Sequence, residues 1–261
     1  MSRGSLVVVG TGIKLVGHIT LEAQAFISQA EKVFYVVNEP VMARWLQQLN
    51  PTAESLLGLY AGDKLRRQTY REMVDCMLEA VRQEMRVCAV FYGHPGLFVE
   101  PAPQAIRQAR REGFTAWMLP GVSAEDCLFA DLDLDPADYG CQSYEATRFL
   151  LHKRQVDPTS NLILWQIGVI GVLHQTGDTS VGLQALTEVL VSAYGPTHEV
   201  IIYEAAKYAT FSPIIESVSL AQLSQARLTP MSTLFVPPKS IPESDPAMMA
   251  RLGIEGSDLA Y

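Results

Sequence analysis

Cysteine is scarce in this sequence. Its four residues (Cys76, Cys88, Cys127 and Cys141) form no C-x-x-C pair and no cluster with zinc-ligand spacing. That excludes a zinc ribbon or a dithiol redox motif and points to reduced, structural thiols in a cytoplasmic protein. The five histidines include no H-E-x-x-H arrangement, so no metal site is expected. Positive charge is in deficit, with 20 Lys and Arg against 28 Asp and Glu and a net charge of −8. A chain of that sign lacks the basic surface that nucleic acid or an anionic membrane requires, although a local basic pocket remains compatible with it. Long apolar runs are missing as well: "MSRGSLVVVG" and "LILWQIGVIGVL" are too short to span a bilayer or serve as a signal segment. There is no internal repeat and no low-complexity stretch. With 48% hydrophobic and 18% charged residues, the chain can bury a core, and its 261 residues make one or two domains.

The apolar runs alternate with helical patterns. "SLVVVG" reads as a buried parallel strand that ends in a glycine turn. Thr20 is a candidate N-cap for the helix "LEAQAFISQA". The strand "KVFYVV", the helix "PVMARWLQQLN", the long helix "KLRRQTYREMVDCMLEAVRQE" and the strand "VCAVFYG" follow. Then come the helix "PAPQAIRQARREG", closed by Gly113, and the strand "FTAWMLPG". This β-α-β-α rhythm predicts a doubly wound α/β lobe over residues 1–120. It is interrupted by "GVSAEDCLFADLDLD" and resumes with "NLILWQIGVIGVL", "GLQALTEVLVSAYG", "EVIIYEAA" and "STLFVPP", a second α/β lobe over 121–240. Residues 241–261 form a short polar tail with one amphipathic piece, "PAMMARLGI". Two lobes joined near residues 120–122 are expected to leave a ligand cleft between them.

Three glycine turns follow strands. In "VVVGTGI", Gly10 and Gly12 fit G-x-G, but the next glycine is Gly17, so the dinucleotide fingerprint fails. A strand-to-helix turn that needs small residues accounts for it equally well. "YGHPGLF" lies at the carboxyl end of a buried strand, where α/β sheets bind ligands, and Pro95 stiffens it. "LPGVSAEDCLFADL" opens a helix at Ser123, which suits either a polar ligand group at free backbone N–H groups or a plain N-cap. On the long helix, Arg66 and Tyr70 are four residues apart and share a face, continued by Met73, Val74, Met77, Leu78 and Val81 as core. Arg67, Arg71, Glu72 and Asp75 fall on the polar side. A surface salt bridge and a core-edge aromatic are the bland alternatives for Arg66 and Tyr70.

The strings "VGTGI…TLEA", "FYGHPGLF", "LPGVSAEDCLFADL", "LILWQIG", "IIYEAA" and "STLFVPP" resemble, in order, the tetrapyrrole methylase superfamily, over roughly residues 5 to 238. They are most similar to its borosin branch, the peptide backbone α-N-methyltransferases. The chain departs from tetrapyrrole methylation enzymes, which usually carry G-x-G-P-G-D-P and Gly-Asp-Pro turns; here stand "GTGIKLVG" and Gly93-His94-Pro95. The resemblance implies a two-lobed fold that binds S-adenosylmethionine between lobes and releases S-adenosylhomocysteine. It places Tyr92, His94, Leu97, Phe98, Ser123 and Ala124 at the cofactor, with Gln166, Ala205, Ser232 and Thr233 from the second lobe. It also places Tyr60, Arg66, Tyr70 and Tyr92 at the catalytic motif and implies a homodimer. The apolar "AEDCLFADL" suits either an interface or core.

The residue types fit such chemistry. A peptide nitrogen is a poor nucleophile because its lone pair is delocalised into the carbonyl. Methylation needs the N–H proton removed and negative charge held on the amide oxygen. A guanidinium and phenolic O–H groups can hold that oxygen. Arg66 is expected in that role, Tyr70 as the base, and Tyr60 and Tyr92 as positioning groups. Fungal borosin enzymes resemble this domain but carry their substrate as a C-terminal extension. The residues after Lys239 are too few for one, so the expectation is a separate precursor peptide. Two other functions fit less of the sequence. One is methylation of a tetrapyrrole or other small molecule; the other is a non-catalytic module that binds S-adenosylmethionine or a peptide.

Overall fold

The computed structural model describes residues 4–60, 64–172 and 177–255. The chain divides into two compact units: Met1–Leu134 with Gly171–Thr179 and Tyr203–Ile215, and Asp135–Ile170 with Ser180–Ile202 and Glu216–Tyr261. No helix among the described residues is long and apolar enough to cross a membrane.

The first unit is built on a five-stranded sheet with strands β1 (Ser5–Gly10), β2 (Lys32–Val36), β3 (Glu54–Ser55), β4 (Arg86–Phe91) and β5 (Thr115–Met118), in the order β3-β2-β4-β1-β5. Its pairings are all parallel, as the near-continuous Val-rich runs predict for strands buried on both faces. Helices α1 (Leu21–Gln29), α2 (Pro40–Leu49), α3 (Arg66–Arg82), α4 (Pro101–Arg111) and α5 (Ala124–Asp131) connect or follow these strands. The two-residue side-chain period divides the core. Leu6 and Val8 of β1 pack with the buried stripe of α3 and with Ala102, Ala105 and Ala109 of α4. Val7 and Val9 face the other way, toward α1 and α2. The alanines let α4 lie close to the sheet.

The sequence-predicted elements of this unit are present, and the Thr20 hydroxyl accepts the Ala23 N–H at 3.1 Å, capping α1. The two-residue β3 was not foreseen; "ES" is exposed at a sheet edge and carries no periodic signal.

The second sheet has the order β6-β7-β10-β8-β9, with β6 (Cys141–Glu145), β7 (Asn161–Trp165), β8 (Glu199–Glu204), β9 (Ile214–Ser219) and β10 (Thr233–Val236). It is mixed: β6 runs parallel to β7, and β10 runs antiparallel to it. Helices α6 (Pro136–Tyr139), α7 (Ala146–Leu151), α8 (Ser180–Tyr194) and α9 (Pro246–Leu252) complete the chain. Leu183, Leu186 and Leu190 of α8 pack against Leu162 and Leu164 of β7 and Leu234 and Val236 of β10. β6 and β9 escaped sequence reading for one reason. Both are outer strands; the first is half-buried along most of its length and the second largely exposed, so neither shows a clean apolar pattern.

Candidate functional site

All pairings in the first sheet are parallel, so each strand-to-helix connection leaves from the same carboxyl edge. Four of them carry the residues singled out from sequence: the turn after β1, the Tyr60 segment between β3 and α3, the Tyr92–Phe98 segment after β4, and the Ser123 turn after β5.

The glycines of three of these turns meet. The Gly12 N–H donates to the Gly93 carbonyl at 3.3 Å and the Gly93 N–H to the Gly12 carbonyl at 3.1 Å, a small antiparallel bridge between two loops. A Cβ on Gly10 would lie 2.1 Å from the Gly93 oxygen, and one on Gly121 would lie 3.5 Å from the Gly10 Cα. Gly93 itself sits at φ +71°. Backbone meets backbone here, at the edge where open α/β sheets take ligands. Gly10→Ala forces that contact apart. Expected is a loss of about 1–3 kcal/mol of stability, the usual cost of overpacking, read as a lower denaturant midpoint.

After β4, the His94 Nδ1 accepts the Gly96 N–H at 3.0 Å, which leaves Nε2 to carry the ring proton in the neutral form. Leu97 and Phe98 are exposed at 40% and 47%. Phe98 is held at φ +56° and Gln166 at φ +61°, two of the six non-glycine residues at positive φ among those described. Such backbone is uncommon for side-chain-bearing residues and gathers at ligand sites. The Ser123 hydroxyl is engaged in a capping box. It accepts the Asp126 N–H at 3.1 Å and donates to the Asp126 carboxylate at 2.7 Å, while the Ser123 N–H donates to that carboxylate at 2.6 Å. Ser123→Ala is expected to cost about 1 kcal/mol through loss of the cap. A matching loss of cofactor affinity in a calorimetric titration would give the hydroxyl a second role. Ala124 opens α5. Ala205 clusters with the first unit, whereas Gln166, Ser232 and Thr233 belong to the second. Ser232 and Thr233 are buried, and the Ser232 hydroxyl accepts the Thr229 N–H at 2.8 Å.

The structure brings Tyr60, Arg66 and Tyr70 together. A 3-10 turn (Leu57–Leu59) delivers Tyr60, and Lys64 fastens that turn to α3, donating to the Leu59 carbonyl at 2.9 Å and to Glu72 at 2.6 Å. Both tyrosines pack against the core beneath α3. Arg66 is half-buried, and the neighbouring Arg67 is exposed. Burial pushes the Tyr60 pKa up to about 12, helped by the Tyr70 ring and its hydrogen bond and opposed by the Arg66 charge.

Tyr92 sits in a second polar group that no spacing in the sequence signals, because its members are spread from residue 18 to residue 203. Burial and Cys127 push Tyr92 up to about 12. The Tyr203 hydroxyl donates to Asp131 at 2.7 Å, and its own pKa is raised by burial, by Asp131 and by Cys127 and Tyr92. The Cys127 thiol lies 4.0 Å from His18 Nδ1. Tyr60 and Tyr92 thus hold their protons at neutral pH, so each keeps an O–H group. For both, the folded pKa exceeds the ordinary value near about 10, so the folded state binds the proton more tightly. Their contribution to stability is complete below pH 10 and falls as pH rises through about 12. Tyrosinate absorbance should accordingly lag behind that of the denatured chain between those limits.

Residues 5–218 match the family model described as Tetrapyrrole (Corrin/Porphyrin) Methylases. The chain belongs to the tetrapyrrole methylase family. Its fold is similar to a uroporphyrin-III C-methyltransferase from Thermus thermophilus (TM-score 0.62, 16% identity, 91% of this chain and 96% of that one). It is also similar to a diphthine synthase (TM-score 0.61, 13% identity, 91% of each chain). Among curated proteins, a methyltransferase/type I borosin cyclic peptide precursor of Serendipita vermifera subsp. bescii is 41% identical over 259 residues. The omphalotin A methyltransferase/precursor of Omphalotus olearius is 40% identical over 255. They cover 97% and 95% of this tetrapyrrole methylase chain, which spans 63% and 61% of their own lengths.

Proposed function

We propose that this chain is an S-adenosylmethionine-dependent methyltransferase that transfers methyl groups to backbone amide nitrogens of a peptide supplied as a separate chain, working iteratively and as a homodimer. The observation that carries the reading is the grouping of Tyr60, Arg66 and Tyr70 where α3 begins, on the sheet edge that also bears the glycine turns. The chain's relatives include proteins named as methyltransferase/cyclic peptide precursors.

The glycine-lined edge fits a folded nucleoside-type cofactor, because backbone there is left bare of side chains. Tyr92, His94, Leu97, Phe98, Ser123 and Ala124, with Ala205 of the same unit, would hold S-adenosylmethionine. When bound, the cofactor supplies an electrophilic methyl group on a sulfonium. Arg66 holds the amide oxygen as charge gathers on it, with the Tyr60 hydroxyl as a second donor. Tyr70 takes the N–H proton on its phenol oxygen. Tyr92 holds its own proton and orients the amide.

Incubation with S-adenosylmethionine and an apolar, Val/Ile/Gly-rich peptide, followed by fragmentation mass spectrometry, tests this. Methyl groups located on backbone nitrogens of the peptide are expected. Mass added to this chain instead would show that the amide acted upon is in cis. Methylation of a tetrapyrrole with the peptide untouched would sink the reading.

A further inference from the structure

Helices α3 and α4 lie side by side on one face of the first sheet, both running back from its carboxyl edge. Between their outer faces is a groove of about 380 Å³. Its walls carry Arg71 and Arg82 of α3 and Arg107 and Arg111 of α4, and its floor is Val74 and Leu78. Four guanidinium groups around one depression run against the net charge of −8. The groove's own carboxylate is Asp75. Arg82 is clamped by Glu112, with bonds of 2.8 and 2.7 Å, and so forms a fixed end wall. Arg71, Arg107 and Arg111 are exposed, and the Glu112 carboxylate that clamps Arg82 also feels the Arg111 charge.

We propose that this groove docks an acidic segment of the peptide substrate away from the amide being methylated, a proposal that rests on the peptide reading above. The guanidinium fork matches a carboxylate with two parallel hydrogen bonds, which a lysine ammonium does not. The apolar floor takes a side chain lying between two acids. From Arg71 to Arg82 the helix rises about 16 Å, the reach of roughly five extended residues. A strand of closely spaced phosphates fits less well, because it offers no apolar side chain for the Val74 and Leu78 floor and no gap between its charges at Asp75. The groove also begins beside the chemistry: Arg71 directly follows Tyr70. A segment anchored by its acids along α3 leaves the adjoining residues of the same peptide near Tyr60, Arg66 and Tyr70.

The test is direct binding, independent of methyl transfer. A short fluorescein-labelled peptide alternating glutamate and alanine is titrated with the full chain by anisotropy, against a glutamine/alanine peptide of equal length. The glutamate peptide is expected to bind more tightly, and added salt to weaken it. Arg107→Gln with Arg111→Gln should weaken it about tenfold or more, and Arg71→Gln should weaken it in the same direction. Arg44→Gln with Arg227→Gln, the same change in net charge elsewhere on the surface, should leave it unchanged. S-adenosylhomocysteine affinity, equal in all variants, reports an intact fold. Equal binding of the two peptides, equal losses in the two double variants, or displacement by a matched oligouridylate at lower concentration would overturn the proposal. If the glutamate peptide binds through the groove but no peptide is methylated, the docking site stands and the assigned reaction falls.

Discussion

Tyr70→Phe is expected to lower kcat by roughly a hundred- to ten-thousandfold, the usual contribution of a positioned general base, with S-adenosylmethionine affinity unchanged. The ring stays and the hydroxyl goes, so packing against the core beneath α3 is kept. Tyr60→Phe should cost less. Burial and the Tyr70 contact push Tyr60 up to about 12, which suits it to donate a hydrogen bond and makes it a poor acceptor of a proton. Single-turnover rates with a saturating peptide separate the two, because product release does not enter them. A rising limb in the pH–rate profile that survives in Tyr70→Phe would move the proton transfer to another group.

Arg66→Gln is the second large loss, about a hundred- to a thousandfold in kcat, in line with removal of one oxyanion-type donor. Glutamine retains hydrogen-bonding capacity and removes charge, so the loss measures the charge. It also carries a sign. The guanidinium lowers the pKa of Tyr60 against burial. Without it the Tyr60 pKa rises further, and its tyrosinate absorbance should appear later in an alkaline titration. Arg67→Gln, at an exposed neighbour, should leave both rate and titration unaltered. Equal losses at the two positions would mean that the charge acts at long range on the peptide and does not hold its oxygen.

The elements read most securely from sequence were those that obey a single period on both levels. The β1 run "LVVVG" is apolar at every position because helices cover both faces of its sheet, and α3 shows its stripe from Thr69 to Val81. The cap at Thr20 and the turns at Gly10, Gly93 and Gly121 are local chemistry, set by a few neighbouring residues, and so could be read from the string. Ser123 shows the limit. Its position as an N-cap was readable, but its full engagement with Asp126 needed coordinates.

The order of the motifs along the string pointed to the family, because that order depends on inventory and spacing along one chain. Three matters required the folded backbone. One is the meeting of the Gly10, Gly93 and Gly121 turns, which only a strand order of β3-β2-β4-β1-β5 brings to one edge. Another is the company of Tyr92, with Cys127, Asp131 and Tyr203 drawn from distant segments. The last is the arginine groove: on α3 the solvent-facing charges read as an ordinary polar face, and α4 laid alongside makes a concave cationic surface of them. Periodicity reports which way a side chain points relative to its own element; which other element it meets depends on crossovers many residues long, and these leave no local mark.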